Sequence, residues 1–551
     1  MPSLENFIPI RQVMRSCRSG KNTIKFADST GISLTGGKTL LTTLIFRKVL
    51  HRLLAANEQN VGLLMPTSVY GVLANLALAM DRRTSVNLNY TFGIDTINYC
   101  IRHAEIRHVI TSKKVLERFP NLKLDAELIV LEDLRKKITL FDYLTGFIDA
   151  YITPIRCLEW AFGLDEIKPD DLITIIFTSG STGTPKGAMI TQQNIAENVA
   201  SFVLHLHLAD KDLILGSLPL FHAYGYTTTM WLPAMTGVKG VYHFNPVDPK
   251  KVAEVARKFQ CTAMPTTPTF LRSYLKRSQP EDFASVHTLI CGAEKLPSDL
   301  IDAWEAKFGI RPAEGYGTTE LSPVVSTNIP KGRRADYKNW LKEGTIGRPL
   351  NKLQVRIVEP QTGEILPLNT PGILQIKGPT VMKGYYKDPE KTEAVLKDGW
   401  YSTGDIATLD AEGFIKIVGR ESRISKIGGE MVPHILVEDE ITKIVAGVKM
   451  SDTGNSGDAG DAENEIMIAV SAVPDERKGE RLIILHRELP LLPEEICKNL
   501  QAAGLPNLWI PYPNDFHKVE TIPVLGTGKL DLRAVKELAA KAAGQNSCYS
   551  R

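Results

Sequence analysis

Residues 177–187 read Phe-Thr-Ser-Gly-Ser-Thr-Gly-Thr-Pro-Lys-Gly and follow directly on the apolar run Leu172-Ile-Thr-Ile-Ile176. A strand that runs into hydroxyl side chains and glycines lets the backbone close on phosphate oxygens, and Lys186 adds a positive charge there. The pattern is a phosphate loop of a kind other than the Walker loop. That loop requires Gly before its lysine and Ser or Thr after it, where this chain has Pro185 and Gly187. A solvated Ser/Gly linker is the competing reading, but a linker has no need of the Pro-Lys-Gly ending.

Two other stretches imitate motifs. Gly31-Ile-Ser-Leu-Thr-Gly-Gly-Lys-Thr39 misses the Walker spacing by one residue and lacks a long buried strand before it, so it reads as a hairpin turn. His205 and Asp210 have the spacing used by glycerolipid acyltransferases, at the end of an amphipathic helix and without the rest of such a domain, and are read as coincidence.

A chain of 551 residues is too long for one ordinary core. From about Leu40 to Glu320, runs such as VGLLMP, RHVIT, AELIVL and TLICGAE alternate with amphipathic helical text, which predicts parallel sheets covered by helices. Between 344 and 419 the text turns to short strands broken by Gly, Pro and Asp, a smaller and mainly antiparallel unit. The expected fold is therefore α/β and α+β: a large N-terminal domain over 1–420, holding two helix-covered, mainly parallel sheets and the β-rich unit at about 344–419. A small mobile α+β domain follows over 421–551, carrying the Gly/Asp/Ser-rich loop SDTGNSGDAGDAEN.

Charge and cysteines narrow the setting. A net charge of +3, with 43% apolar and 23% charged residues, gives no nucleic-acid footprint. Seven scattered cysteines without a CxxC pair fit a reducing cytosol and no structural metal. No secretion signal or long apolar span is legible, so a cytoplasmic protein is expected. One segment bears on location: residues 137–164 place Phe141, Leu144, Ile148, Tyr151, Ile155, Leu158 and Phe162 at helical spacing, with a kink expected at Pro154. The stripe reads as a helix packed on the core. The alternative is peripheral contact with the inner face of a membrane, with Lys136 and Lys137 at one end.

Further along lie Glu314-Gly-Tyr-Gly-Thr-Thr-Glu320, Gly399-Trp-Tyr-Ser-Thr-Gly-Asp405, Gly419-Arg420 and Gly526-Thr-Gly-Lys529. In this order after the phosphate loop, these motifs resemble the adenylate-forming superfamily of acyl-CoA synthetases, peptide-synthetase adenylation domains and luciferases, over nearly the whole chain. The resemblance implies ATP and Mg2+ as cofactors, and it implies roles. Thr178, Ser179, Gly180, Ser181, Thr182, Gly183, Thr184 and Lys186 would surround the ATP phosphates. Gly292, Ala293 and Glu294, with Gly315, Tyr316, Gly317 and Thr318, would line the adenine side. Asp405 would accept from the ribose hydroxyls, and Arg420 would reach the ribose region.

Glu320 would hold Mg2+, an ion that prefers oxygen ligands. Thr319, Glu320, His222 and Lys529 are the implied catalytic set, with His222 beside the acyl carboxylate and Lys529 serving the adenylation step. The plain alternatives are a satisfied histidine beside the core and a solvated lysine. The family hinge position, usually Asp or Lys, is Ser422 here.

The texts LPLFHAYGYTTTMWLP, PTTPTFLRSYLKR, FASVHTLICGAEKLP, GYGTTELSPVVS and SKIGGEMVPHILVEDEI are similar to the synthetase half of the bifunctional acyl-acyl-carrier-protein synthetase/2-acylglycerophosphoethanolamine acyltransferases. That branch implies a long-chain fatty acid substrate and the phosphopantetheine thiol of acyl carrier protein as acceptor. With no acyltransferase domain in the sequence, a stand-alone ligase is expected. Tyr224, Gly225, Tyr226, Trp231 and Thr267 would border an apolar acyl tunnel. Arg423, Lys426, Arg477, Lys478 and Arg481 would suit an acidic carrier protein, or the phosphates of CoA, or simply a solvated surface. Long-chain acyl-CoA ligase is the same-mechanism alternative, and a catalytically silent nucleotide- or lipid-binding module is the alternative of a different class.

Overall fold

The structure is a computed structural model that describes residues 7–178, 184–428, 430–452, 468–475, 477–524 and 530–544. Ser179, Gly180, Ser181, Thr182, Gly183 and Lys529 lie outside the described residues, as does most of the loop at 451–464.

Strand Leu172–Thr178 is buried along its middle through Ile173, Ile175, Ile176 and Phe177, which is why it reads as a continuous apolar run. It belongs to a seven-stranded sheet ordered Gly384–Tyr385, Lys186–Thr191, Leu172–Thr178, Thr84–Asn87, Asn60–Leu63, His108–Thr111, Glu127–Val130. A nine-stranded sheet runs Arg348–Pro349, Val324–Thr327, Ala313–Gly317, Thr288–Cys291, Ala263–Thr266, Leu213–Gly216, Lys239–Tyr242, Ile24–Asp28, Ser33–Thr35. Both are parallel through the middle, as the alternating text predicts.

Each sheet also has an antiparallel edge that the alternation does not announce. Leu172–Thr178, Lys186–Thr191 and Gly384–Tyr385 form one of them. Ala313–Gly317, Val324–Thr327 and Arg348–Pro349 form another. The phosphate loop and the Glu314–Glu320 motif sit at these two edges.

The β-rich text at 344–419 makes a five-stranded sheet, with Gln354–Val358, Gly372–Lys377, Trp400–Leu409 and Leu396–Lys397 in line and Ile415–Arg420 paired to Trp400–Leu409. It is not wholly separate. Arg348–Pro349 and Gly384–Tyr385 leave it for the two larger sheets, and Leu374, Ile376, Tyr401 and Ile415 join the main apolar core. Apolar side chains from Ile427 onward cluster among themselves, around the strands Ile468–Asp475, Gly479–His486 and Phe516–Lys518.

Both motif imitations resolve structurally. Ser33–Thr35 pairs antiparallel with Ile24–Asp28, closing a hairpin at Gly31, and Thr35 then caps the helix Gly36–Leu53. His205 is buried at the end of the helix Gln192–His205, with Nε2 2.9 Å from the Thr327 carbonyl. Asp210 is not its partner.

The segment 137–164 departs most from expectation. It forms two helices, Leu140–Tyr151 and Ile155–Ala161, broken rather than kinked at Pro154, and the first part of its apolar stripe does not face the core. The buried positions of the first helix are Asp142, Gly146 and Ala150, whereas Phe141, Leu144 and Ile148 are exposed by 72%, 58% and 40%. The cause is close packing on Gly36–Leu53: a Cβ at Gly146 would stand 3.0 Å from Ile45 Cγ1, so only small residues fit the inner face. Of the stripe, Leu158 is buried, and Tyr151, Ile155 and Phe162 are half-buried against the core. No helix among the described residues is long and apolar enough to cross a membrane.

Candidate active site

The phosphate loop joins two antiparallel strands, with Thr178 directly across from Lys186. Gly187 follows because a Cβ there would lie 2.9 Å from Ile175 Cγ2. The outer neighbour of this hairpin is the two-residue strand Gly384–Tyr385, whose Tyr385 pairs with Ala188. Lys186 Nζ stands 5.2 Å from the centroid of the Tyr385 ring, within cation–π range.

Tyr385 reaches a second predicted residue. The strand Ala313–Gly317 ends where a Cβ on Gly317 would meet the Pro323 carbonyl oxygen at 2.1 Å, which leaves glycine as the only fit. Thr318 N donates to that carbonyl at 3.1 Å, and the short turn Thr319–Leu321 turns Glu320 inward to 9% exposure. The Tyr385 hydroxyl donates to Glu320 Oε1 at 2.8 Å, while Met382 N donates to the Glu320 carbonyl at 2.8 Å. Burial, reinforced by the Glu320 charge, pushes the Tyr385 phenol well above its ordinary pKa and keeps it a donor. Two oxygens at this turn make no hydrogen bond among the described residues: Glu320 Oε2 and the buried Thr318 Oγ1. A carboxylate oxygen left open beside a lysine-bearing loop fits the donor chemistry of Mg2+, and an orphan hydroxyl fits a polar ligand.

Asp405 is the second centre. It is buried on Trp400–Leu409 directly across from Arg420, whose Nε donates to Oδ1 at 2.5 Å. The nearby carboxylate raises the Arg420 pKa, so its charge is secure. Asp405 Oδ2 accepts from the Tyr316 hydroxyl, and Asp405 N donates to Thr403 Oγ1 at 3.0 Å. Tyr316, expected at the adenine, therefore also engages the residue expected at the ribose. Tyr401 lies between the centres: burial, then the charges of Glu320 and Asp405, raise its phenol.

Gly292, Ala293, Gly315, Tyr316 and Gly317 line one small cavity of about 50 Å³ together with Tyr224. Glu294 is directed elsewhere, since its Oε2 accepts from Thr269 N at 3.2 Å and Thr269 Oγ1 at 2.7 Å. Glu314, on the same strand as Tyr316, is half-buried, and burial pushes its carboxyl up to about 7.

The residues expected at the acyl pocket fall in different surroundings. Tyr224 lines the small cavity and donates to the Ile290 carbonyl at 3.1 Å, whereas Tyr226 and Trp231 are fully buried in the main core. The Tyr226 hydroxyl bonds Ser85 Oγ at 3.1 Å and its ring stands edge-on to Trp231 at 6.2 Å. Those side chains fill space because Tyr226–Trp231 is a π-helical turn that packs all six residues inward. Gly225 cannot carry a Cβ, which would meet the Pro219 carbonyl oxygen at 2.3 Å, and Thr267 caps the helix Pro268–Arg277.

A larger apolar cavity of about 240 Å³ is lined by Tyr90, Phe92, Ile94, Ile97, Arg118 and Phe119. Tyr90 meets Phe221 edge-on at 4.8 Å, and Phe221 stands 4.6 Å from the exposed His222 ring. The sequence reading missed this cavity and Tyr385. The text Lys383-Gly-Tyr-Tyr386 was the available signal for Tyr385.

Ser422 lies in the short turn Glu421–Arg423 immediately after the Asp405-paired strand. Two of the five residues expected on a basic face pair internally, Arg423 with Glu438 and Arg481 with Asp515, while Lys478 donates to the neutral Tyr512 hydroxyl at 2.7 Å and keeps its charge. These pairs form because the residues pack onto their own small sheet.

Residues 14–386 match the family model described as AMP-binding enzyme. The chain is 33% identical over 382 residues to the long-chain-fatty-acid–CoA ligase of Escherichia coli O6:H1, covering 68% of this chain and 63% of that one. The ligase of the same description from Bacillus subtilis is 30% identical with the same coverage. The match thus spans 63% of the length of these relatives. Among solved structures, ATP-bound MatB from Rhodopseudomonas palustris shares the fold, with a TM-score of 0.77 over 96% of this chain and 98% of the other at 23% identity. The o-succinylbenzoate CoA synthetase of Bacillus subtilis with its acyl-adenylate intermediate also has a TM-score of 0.77, with 96% and 98% covered at 21% identity.

Proposed function

The chain belongs to the AMP-binding enzyme family, and we propose that it activates a long-chain fatty acid with ATP to an acyl adenylate and then passes the acyl group to a thiol. The observation that carries the reading is Tyr385, whose hydroxyl holds the carboxylate proposed for Mg2+ and whose ring faces the lysine of the phosphate loop.

A fatty carboxylate attacking the α-phosphorus of ATP, with the α–β phosphoanhydride bond breaking and pyrophosphate leaving, brings anions together, so cations must offset the repulsion and the charge that develops in the transition state. Lys186 and Lys529 supply fixed positive charge in this reading, and the loop between Thr178 and Lys186 supplies backbone donors. Mg2+, held through Glu320, would neutralise phosphate charge when bound. No general base is required, because the attacking acid is already ionised. Asp405 and Arg420 hold the ribose, Tyr316, Gly292 and Ala293 border the adenine, and His222 orients the acyl carboxylate. In the second half-reaction the thiol displaces AMP, and alignment outweighs acid–base power. The acyl chain is assigned to the cavity between Ile94 and Phe119, next to Phe221 and His222. Residues 421–551 are taken as a mobile domain turning near Ser422 and carrying Lys529.

For the acceptor we take CoA, since the fatty-acid relatives are described as CoA ligases, and the internal pairing of Arg423 and Arg481 leaves fewer free charges on the basic face that a carrier protein would need. Incubation with ATP, Mg2+, palmitate and either CoA or acyl carrier protein, followed by mass measurement of the products, tests the choice. Product on CoA is expected; product confined to the carrier protein would replace this reading with the branch resemblance.

A further inference from the structure

The two helices Leu140–Tyr151 and Ile155–Ala161 are built with polarity reversed. Their acidic groups are turned inward and neutralised. Arg52 Nη1 donates to Asp142 Oδ1 at 2.6 Å and Nη2 to Oδ2 at 2.9 Å. Lys48 Nζ donates to Asp149 Oδ2 at 2.9 Å and to Thr145 Oγ1 at 2.7 Å. Glu159 is met by Arg11 at 3.1 Å and Arg15 at 2.6 Å. Arg18 ties down the C-terminal end by donating to the Asp149 carbonyl at 2.8 Å and the Thr153 carbonyl at 3.0 Å.

With the polar groups and the small residues Gly146 and Ala150 inside, large apolar side chains of the first helix and the linker, and Trp160 of the second helix, are outside, while Leu158 stays buried. Leu140 is 85% exposed, Phe141 72%, Phe147 51%, Ile152 66% and Trp160 77%. Apolar exposure concentrated on one short segment marks a contact surface, since scattered single residues would need no explanation.

We propose that this face docks on an anionic lipid surface. The charges around it favour that occupant. The only carboxylates on the two helices are Asp142, Asp149 and Glu159, all turned inward and paired, so none lies on the apolar face to repel lipid phosphates. The turn immediately before Leu140 is Arg135-Lys136-Lys137, with all three residues exposed. Lys136 is also paired, at 2.8 Å, with Asp133, which lowers the local positive charge without reversing it. Phe141, Tyr143, Phe147 and Trp160 are the aromatic types that settle at the headgroup boundary, beside cations that meet the phosphates. The first helix would lie in the plane of that boundary, with its Arg52- and Lys48-locked face toward the protein. This inference does not depend on which reaction the chain catalyses.

The test is co-sedimentation of the full chain with vesicles of phosphatidylcholine alone and of phosphatidylcholine with phosphatidylglycerol. Wild type is expected to pellet with the anionic vesicles. The exposed-residue variant Phe141→Ser/Phe147→Ser/Trp160→Ser should partition at least about tenfold more weakly, with an unchanged melting temperature because none of the three is buried. Lys136→Glu/Lys137→Glu should lose the preference for anionic over neutral vesicles while keeping a native melt. Wild type remaining in the supernatant, or the serine variant pelleting like wild type, would overturn the proposal. So would a wild-type dimer in light scattering that the serine variant abolishes without any vesicle binding, since the face would then belong to a second copy of the chain.

Discussion

Tyr385 donates its hydroxyl hydrogen to Glu320 Oε1 at 2.8 Å, joining an edge strand of the seven-stranded sheet to a turn at the edge of the nine-stranded one. The same ring lies 5.2 Å from Lys186 Nζ. The hydroxyl and the ring of Tyr385 thus serve different neighbours in the proposed phosphate site, and their contributions can be separated by substitution.

Tyr385→Phe keeps the ring and removes the hydroxyl. It is expected to raise the Mg2+ concentration needed for half-maximal activity about tenfold or more, as loss of a partner behind a metal ligand generally does, with a smaller change in KM for ATP. Tyr385→Leu also removes the cation–π contact and should raise the KM for ATP as well. Titrations of Mg2+ and ATP in the activation assay measure both; identical behaviour of the two variants would refute the separation.

Asp405 has both oxygens engaged, by Arg420 and Tyr316. Ribose hydroxyls proposed at Asp405 would share Oδ2 with the Tyr316 phenol, which the carboxylate's remaining lone pairs permit. Tyr316→Phe is expected to leave ATP affinity within about threefold of wild type or to improve it, whereas Asp405→Ala should weaken it more than about tenfold and strand the Arg420 charge. Calorimetric titration with ATP reads both. A large loss in Tyr316→Phe would mean that its hydroxyl contacts the nucleotide directly.

Much of this site was legible in the sequence because its backbone geometry demands particular residues. Gly187, Gly317 and Gly225 stand where a Cβ would collide, and the strand before the phosphate loop is apolar because both its faces are covered. Pairings across the chain were not legible. Nothing local links Tyr385 to Glu320 or Tyr316 to Asp405, because each bond depends on how separate sheets meet. Helical periodicity found the stripe Phe141, Leu144 and Ile148 but could not orient it; the small face at Gly146 and Ala150 decided that. The buried packing of Tyr226 and Trp231 was not legible for a related reason, since aromatic text reads alike whether it lines a space or fills it.

Glu314 gives a pH dependence. Burial raises its folded pKa to about 7 from an ordinary value near 4.5, so the folded state holds a proton that the unfolded chain has released. The associated stability is complete below the unfolded pKa and is lost as pH rises through about 7. Glu314→Gln should remove that slope and melt higher than wild type above neutrality, by no more than about 3 kcal/mol of stability. Thermal melts from acid to mildly alkaline pH decide it; parallel profiles for the two proteins would refute the assignment.

The cavity beside Phe221 makes a chain-length prediction. Ile94 lines it and is 39% exposed, so Ile94→Trp should narrow it without disturbing the core. kcat/KM for palmitate is expected to fall about tenfold relative to octanoate. An equal effect on both acids would move the acyl chain elsewhere.

The central claim is formation of an acyl adenylate, and its most direct measurement is fatty-acid-dependent exchange of labelled pyrophosphate into ATP with no thiol present. Wild type should exchange label when palmitate and Mg2+ are supplied, and Lys529→Ala should slow that exchange by at least about a hundredfold. Exchange at wild-type rate in Lys529→Ala would remove that lysine from the mechanism. The absence of palmitate-dependent exchange in the wild-type protein would contradict the account itself.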